Sequence, residues 1–298
     1  MSAYTTLIEP GELAGSLARD GGVDSSWAVL DCRFDLARPD WGGSAYASGH
    51  IPGALYAHLD RDLSGPVSAV TGRHPLPNPA QLAETFGGWG IDETVQVVAY
   101  DQGNGAYAAR LWWLLRWAGH RKAAVLNGGF VAWQHAAFPI DTAPARRHPR
   151  AFAFRTEAGR VVSTAELERS LAAGELASGK SMLVDARAAD RFAGENETID
   201  PVAGHIPGAC NSPFMRNVDA QGRFLPASEL RRLWQETLGD AGQDGGDAAR
   251  VIAMCGSGVT ACHNLLALEI AGLSGARLYA GSWSEWIRDR SRPVARGT

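Results

Sequence analysis

The sequence predicts an α/β protein made of two tandem copies of one domain, each a mostly parallel sheet flanked by helices. Three observations predict this. Short apolar runs alternate with amphipathic segments along the chain. A set of landmarks occurs twice, in the same order and at a nearly constant offset. The length of 298 residues is about twice the common domain size of roughly 150 residues.

The landmarks are these. In the first half, Trp27-Ala-Val-Leu30 ends in Asp31-Cys32-Arg33. Then come Gly49-His50-Ile51-Pro52-Gly53-Ala54, Thr94-Val-Gln-Val-Val-Ala-Tyr100-Asp101, and Gly128-Gly129-Phe130-Val131-Ala132-Trp133. In the second half, Met182-Leu-Val184 ends in Asp185-Ala186-Arg187. Gly204-His205-Ile206-Pro207-Gly208-Ala209, a run ending in Cys255, and Gly281-Ser282-Trp283-Ser284-Glu285-Trp286 follow. Asp185 follows Asp31 by 154 residues, His205 follows His50 by 155, Cys255 follows Asp101 by 154 and Trp286 follows Trp133 by 153. A period this long marks a duplicated domain rather than a solenoid unit.

Helices are expected near residues 11–19, 79–87 and 105–118. The last is so apolar, through Leu111, Trp112, Trp113, Leu114 and Leu115, that it is expected to pack between the sheet and another element. Ser163 and Glu166 form a capping-box pattern that opens a helix, and Pro226 opens another with Leu230, Leu233 and Trp234 on one face. The acidic, glycine-rich stretch 239–246 reads as an exposed loop. The polar, basic and proline-bearing stretch 144–150 is the expected boundary, giving domains 1–145 and 155–298.

A net charge of -4 with 45% hydrophobic residues and a pI near 6.1 excludes the usual footprint of a nucleic-acid or anionic-membrane partner. The N-terminus lacks the charged and apolar regions of a signal peptide. No apolar run approaches the roughly 18 residues of a membrane span. A cytoplasmic, reducing location is expected, with all four cysteines free. Their spacing does not suggest a zinc site.

One stretch carries chemistry. Arg250-Val-Ile-Ala-Met-Cys255-Gly256-Ser257-Gly258-Val259-Thr260-Ala261 is an apolar run, a tight small-residue loop and the start of a helix. Successive backbone N–H groups in such a loop form an anion nest, and the helix dipole adds to it. The nest favours a thiolate, which makes Cys255 the candidate nucleophile. The same place in the first copy holds Asp101, so the fold does not demand a cysteine there. Cys32, Cys210 and Cys262 read as structural. His50 and His205 recur in both copies and read as turn-fixing residues. Arg33 and Arg187 also recur and read as members of internal ion pairs. A phosphatase of the Cys-x5-Arg type would need arginine at position 261, which is alanine.

The paired Asp-x-Arg and Gly-His-Ile-Pro-Gly-Ala elements, with Gly-Ser-Trp-x-Glu-Trp at the end, resemble a tandem-domain rhodanese sulfurtransferase over nearly the whole chain. The resemblance implies two rhodanese-like domains, an inactive N-terminal one and a catalytic C-terminal one. Cys-Gly-Ser-Gly-Val-Thr-Ala is closest to the 3-mercaptopyruvate branch. Thiosulfate-preferring members place basic residues just after the cysteine, where Gly256 and Ser257 stand here. The absence of a cation at that place is expected to disfavour a doubly charged donor.

The resemblance further implies a Cys255 persulfide in a ping-pong cycle, with no cofactor and no metal. Gly256, Gly258, Val259, Thr260 and Ala261 would surround the sulfur. Ser257, His74 and Asp60 would form a proton relay, with the site lying between the two domains. Arg191 maps to a carboxylate-binding arginine. The branch has a second arginine a few residues later, but this stretch has none, and Asp200 lies near its expected place. The implied partners are a small-molecule sulfur donor and an acceptor such as thioredoxin, glutathione or cyanide. Thiosulfate as donor, and a persulfide carrier serving a partner protein, are the alternatives.

Overall fold

β2 (Trp27–Asp31) and β4 (Gln96–Tyr100) are almost wholly apolar and almost wholly buried, as expected of inner strands of a parallel sheet covered on both faces. The computed structural model describes residues 3–239 and 248–297. The described chain divides into two compact units.

In the first unit the strand order is β1 (Leu7–Ile8), β5 (Ala123–Leu126), β4, β2 and β3 (Leu55–Tyr56), with every pairing parallel. The expected helices are α1 (Pro10–Arg19), α4 (Pro79–Gly88) and α5 (Ala108–Trp117). Two shorter ones, α2 (Trp41–Ser48) and α3 (Leu59–Asp62), lie between α1 and α4. All ten residues of α5 are buried. Trp117 at its end stacks on Trp113 and meets the edge of Phe154. α6 (Gly129–His135) follows β5, and its Phe130 and Trp133 join Ile8, Val29, Val98 and Leu126 in the core.

The second unit has β7 (Cys210–Asn211), β6 (Met182–Asp185), β8 (Val251–Met254) and β9 (Arg277–Leu278) in that order, again all parallel. Val161 bridges Leu278 in parallel at the free edge of β9, the place that β1 holds in the first sheet. The Ser163 capping box is formed and opens α7 (Thr164–Ala172). α8 (Ala189–Ala193), α9 (Ala227–Leu238), α10 (Thr260–Ile270) and α11 (Ser282–Trp286) follow. Leu183, Ile206, Ile252, Met254, Trp283 and Trp286 form this core.

The units are not two unbroken halves. Pro66–Leu76 belongs to the second unit and Val218–Phe224 to the first. Of the stretch read as an exposed loop, Gly239 caps α9 and the rest lies outside the described residues.

The duplication extends to buried ion pairs. Arg33 grips Asp31 through Nε and Nη2 and lies 4.2 Å over the Phe130 ring. Arg187 grips Asp185 in the same way and lies 4.9 Å over Trp283. The two-residue spacing makes each pair local, and the ring lies over one face of the guanidinium.

His50 and His205 likewise share one role. Each is bonded through Nδ1 to a carbonyl, Tyr46 in one copy and Phe192 in the other, and each stacks on that residue's ring. Each also pairs in antiparallel fashion with a later segment, at Asp141 and Ala295. They fix the turn after the helix.

Candidate active site

The chain leaves β8 at Cys255 and enters α10 at Thr260. Between them the loop is held by its neighbours in the fold. The Cys255 N–H donates to Ser282 Oγ (3.0 Å), and the Cys255 and Gly256 carbonyls accept from the N–H groups of Trp283 and Ser284. Gly258 has φ +78, and a Cβ there would run into the Ala280 carbonyl, so only glycine fits. Its N–H donates to Cys255 Sγ at 3.1 Å. Val259 and Ala261 are buried, and Thr260 is half-buried at the first position of α10. Cys255 itself is 2% exposed.

The first copy shows what this loop binds when it has no cysteine. The Asp101 carboxylate accepts hydrogen bonds from backbone N–H groups that include those of Gly103 (3.0 Å), Gly105 (3.0 Å), Tyr107 (2.9 Å) and Ala108 (3.3 Å). The nest is an anion site filled by the chain's own carboxylate. Burial pushes the Asp101 carboxyl up against the pull of those N–H groups.

His74 and Ser257 meet. His74 Nδ1 lies 2.7 Å from Ser257 Oγ, and both side chains are buried. The Pro66–Leu76 segment that carries His74 is tied into the second unit. The Arg73 N–H donates to Ser284 Oγ (3.1 Å), and Arg288 Nε donates to the Thr71 carbonyl (3.1 Å). Asp60 stands in α3 of the first unit, exposed, with its N–H donating to His58 Nδ1.

The loop positions after the cysteine are Gly256 and Ser257, as read from the sequence, but Arg73 stands beside them in space. A Cβ placed on Gly256 would lie 2.9 Å from Arg73 Nη2 and 3.8 Å from both terminal nitrogens of Arg191. The Arg73 guanidinium reaches this space from a segment remote in sequence. Arg191 is itself engaged. Its Nε and Nη2 hold Glu197 at 2.9–3.1 Å, and Nη2 also holds Asp200 Oδ2 at 3.1 Å. Arg73 pairs with the other oxygen of Asp200. Burial raises the Glu197 carboxyl, but the Arg191 fork and the N–H groups of Asp200 and Ile199 outweigh it and leave it below the usual range.

Arg73, Glu197 and Asp200 as bridge were missed by the sequence reading as a working group. One signal was present: Arg73 adjoins His74 in a Gly-Arg-His-Pro segment found only in the first half.

The other cysteines stay away from this chemistry. All four are free. Burial pushes Cys32 well up and Cys210 up to about 11. Cys262 is fully buried in α10, with its thiol donating to the Gly258 carbonyl at 3.3 Å.

The second copy thus sets a buried thiol that accepts from the Gly258 N–H close to a histidine–serine pair and two guanidiniums. Residues 10–136 and 163–289 each match the Rhodanese-like domain. The chain belongs to the rhodanese family and to its tandem-domain sulfurtransferases. It is 49% identical over 271 residues to a protein of Pseudomonas aeruginosa described as a probable 3-mercaptopyruvate sulfurtransferase, covering 90% of this chain and 92% of that one. It is 34% identical over 306 residues to the thiosulfate sulfurtransferase of Rattus norvegicus, covering 98% and 95%. Among solved structures it resembles the 3-mercaptopyruvate sulfurtransferase from Leishmania major, with a TM-score of 0.80 and 32% identity over 95% of this chain and 74% of that one. Among the described residues no helix is long and apolar enough to cross a membrane.

Proposed function

We propose that the protein moves a sulfane sulfur from 3-mercaptopyruvate, through a persulfide on Cys255, to a thiol such as thioredoxin or glutathione, or to cyanide. The observation that carries this reading is the 2.7 Å contact of His74 Nδ1 with Ser257 Oγ, two residues after Cys255. In the first half-reaction the Cys255 thiolate attacks the donor sulfur. The S–S bond forms, the C–S bond breaks, and its electron pair goes to carbon as the enolate of pyruvate. A proton delivered through the His74–Ser257 pair converts that enolate to pyruvate. In the second half-reaction the acceptor takes the outer sulfur and the pair of the S–S bond returns to Cys255. Gly256, Gly258, Val259, Thr260 and Ala261 surround the sulfur, and Arg191 supplies the fork for the donor carboxylate. Asp60 carries the third relay role on the strength of the family resemblance. The free cysteines suit a reducing compartment such as the cytoplasm.

Thiosulfate is the second reading, and the observation favouring it is Arg73 beside Gly256. The deciding experiment is kcat/KM for 3-mercaptopyruvate against thiosulfate, with cyanide as common acceptor. A preference for 3-mercaptopyruvate supports the first reading, and a preference for thiosulfate replaces it with the second. Cys255→Ser is expected to abolish transfer from either donor while keeping the fold. Turnover above a few per cent of wild type would rule out the persulfide route.

A further inference from the structure

One corner of the second sheet differs from its counterpart in the first. The strand registers align the two copies residue by residue: Ala28 pairs with Val97 and Val98 with Ala124, as Met182 pairs with Val251 and Ile252 with Arg277. Arg277 therefore stands in the place of Ala124, and Ser181, just before Met182, in the place of Trp27. In the first copy this corner is filled. Ala124 is 1% exposed within the core, and Trp27 packs against that core and against the Tyr4 ring, 6.0 Å away. In the second copy the same corner is a cleft of about 320 Å³, lined by Val162 and Ile252, by Arg277 and Ser181, and by Glu166 and Glu175. Arg277 is half-buried with its Nε fully buried, yet among the described residues its guanidinium makes no hydrogen bond and no ion pair. A guanidinium taken out of water without an acceptor is costly, and the fold does not require one here, because the first copy uses alanine. The carboxylates beside it are tied to other groups but not saturated. Glu166 accepts the Ser163 N–H (2.8 Å) and hydroxyl (2.7 Å) on the same oxygen, Oε2, which leaves Oε1 without a bond among the described residues. Glu175 is held by Lys180 and by the Ser170 hydroxyl (2.8 Å). Ser163 holds the Glu166 carboxyl below its ordinary range, and the Arg169 and Arg277 charges add to the pull, so a carboxylate faces the cleft at neutral pH.

We propose that this cleft is a binding site for a small free amino acid, whose carboxylate is taken by Arg277 and Ser181 and whose ammonium group is taken by Glu166. The lining calls for both charges. Arg277 has unused donors and Glu166 an unused acceptor, and a zwitterion supplies one partner for each while bringing in no net charge. A dianion would be drawn to the guanidinium but repelled by two carboxylates. Val162 and Ile252 add apolar surface, and a volume at the small end of ligand sites limits the side chain to a few carbons. The site stands apart from the sulfur chemistry. β8 brings Ile252 to the cleft, whereas Cys255 follows the carboxyl end of that strand. The inference does not depend on which donor Cys255 uses.

The test is a ligand-observed NMR titration of the full chain with L-alanine as the probe. Propionate lacks its ammonium group and ethylamine its carboxylate, and each is expected to bind roughly tenfold more weakly, the size of one lost charge-assisted bond. Arg277→Ala and Ser181→Trp install the residues of the first copy. Both are expected to weaken L-alanine by roughly tenfold or more, the first by removing the fork and the second by filling the space. Glu166→Gln keeps the capping box and removes the charge. It should weaken L-alanine roughly tenfold and leave propionate bound no more weakly than before. Without ligand, Arg277→Ala is expected to unfold at the wild-type temperature or above it, because its guanidinium has no partner in the chain to lose. Equal binding of L-alanine and propionate overturns the proposal, and so does wild-type L-alanine binding in Arg277→Ala. Absence of saturable L-alanine binding to the wild-type chain, or a clear fall in the unfolding midpoint of Arg277→Ala, overturns it as well. If Ser181→Trp does not fold, Arg277→Ala decides alone.

Discussion

The imidazole Nδ1 of His74 lies 2.7 Å from the hydroxyl oxygen of Ser257, across 183 residues of sequence. The contact places a proton-exchanging group on the residue two positions after Cys255. Ser257→Ala and His74→Ala are each expected to lower kcat by roughly 10²-fold, the usual size of a general acid–base contribution. The double variant should be little worse than either single one, because the two side chains act as a unit. Additive losses in steady-state kcat would show that they act separately. Asp60→Asn, measured beside them, tests the third relay role; a wild-type kcat would remove it.

Gly258 couples backbone shape to the sulfur. Its left-handed φ and the Ala280 carbonyl behind it leave no room for a side chain, and its N–H is bonded to Sγ. Gly258→Ala is expected to lose roughly 1–3 kcal/mol of stability from strain at that position. The thiol should also become less reactive, because the loop shifts its N–H away. Alkylation of Cys255 by iodoacetamide at fixed pH reads the second effect; a wild-type rate would show that the Gly258 contact does not tune the thiolate.

The buried Arg187–Asp185 pair is expected to matter more for folding than for binding. Arg187 also donates to the Gly204 carbonyl at 2.8 Å and covers Trp283. Removing it strands a fully buried carboxylate. Arg187→Met is expected to cost roughly 3–5 kcal/mol in urea unfolding, the usual penalty for breaking a buried pair on one side. A loss below about 1 kcal/mol would indicate that Asp185 finds another partner.

Glu197 gives the stability a definite pH dependence. Its carboxyl is held below its ordinary value in the folded chain. A depressed folded value means the stabilisation is present above the unfolded value and is lost as pH falls through the folded one. Denaturant midpoints are therefore expected to fall as pH drops below about 4.5, the range of an unperturbed glutamate. Glu197→Gln should flatten that part of the slope. An acid limb unchanged in Glu197→Gln would assign it to other carboxylates.

Much of this was legible in the chain because it is local or repeated. The Asp-x-Arg pairs lie two residues apart, and the capping box three. The cysteine loop is a strand end, two glycines and a helix start in one short stretch. The duplication supplied an internal control as well: Asp101 stands at the place of Cys255, and the structure shows its carboxylate held by successive backbone N–H groups. The short edge strands β1, β3 and β7 have only two residues each, too few for any periodicity to register.

The composition and order of residues by themselves determined the doubled α/β plan and the tight loop that carries the cysteine, because glycine φ angles and local backbone turns are set within a few residues. The charge around that cysteine was decided only by the tertiary structure. Gly256 and Ser257 carry no charge themselves, yet Arg73 arrives on a remote segment and pairs with Asp200, 127 residues away. Coulomb forces depend on distance in space and not along the chain, so the character of the anion site waits on the packing of Pro66–Leu76 into the second unit.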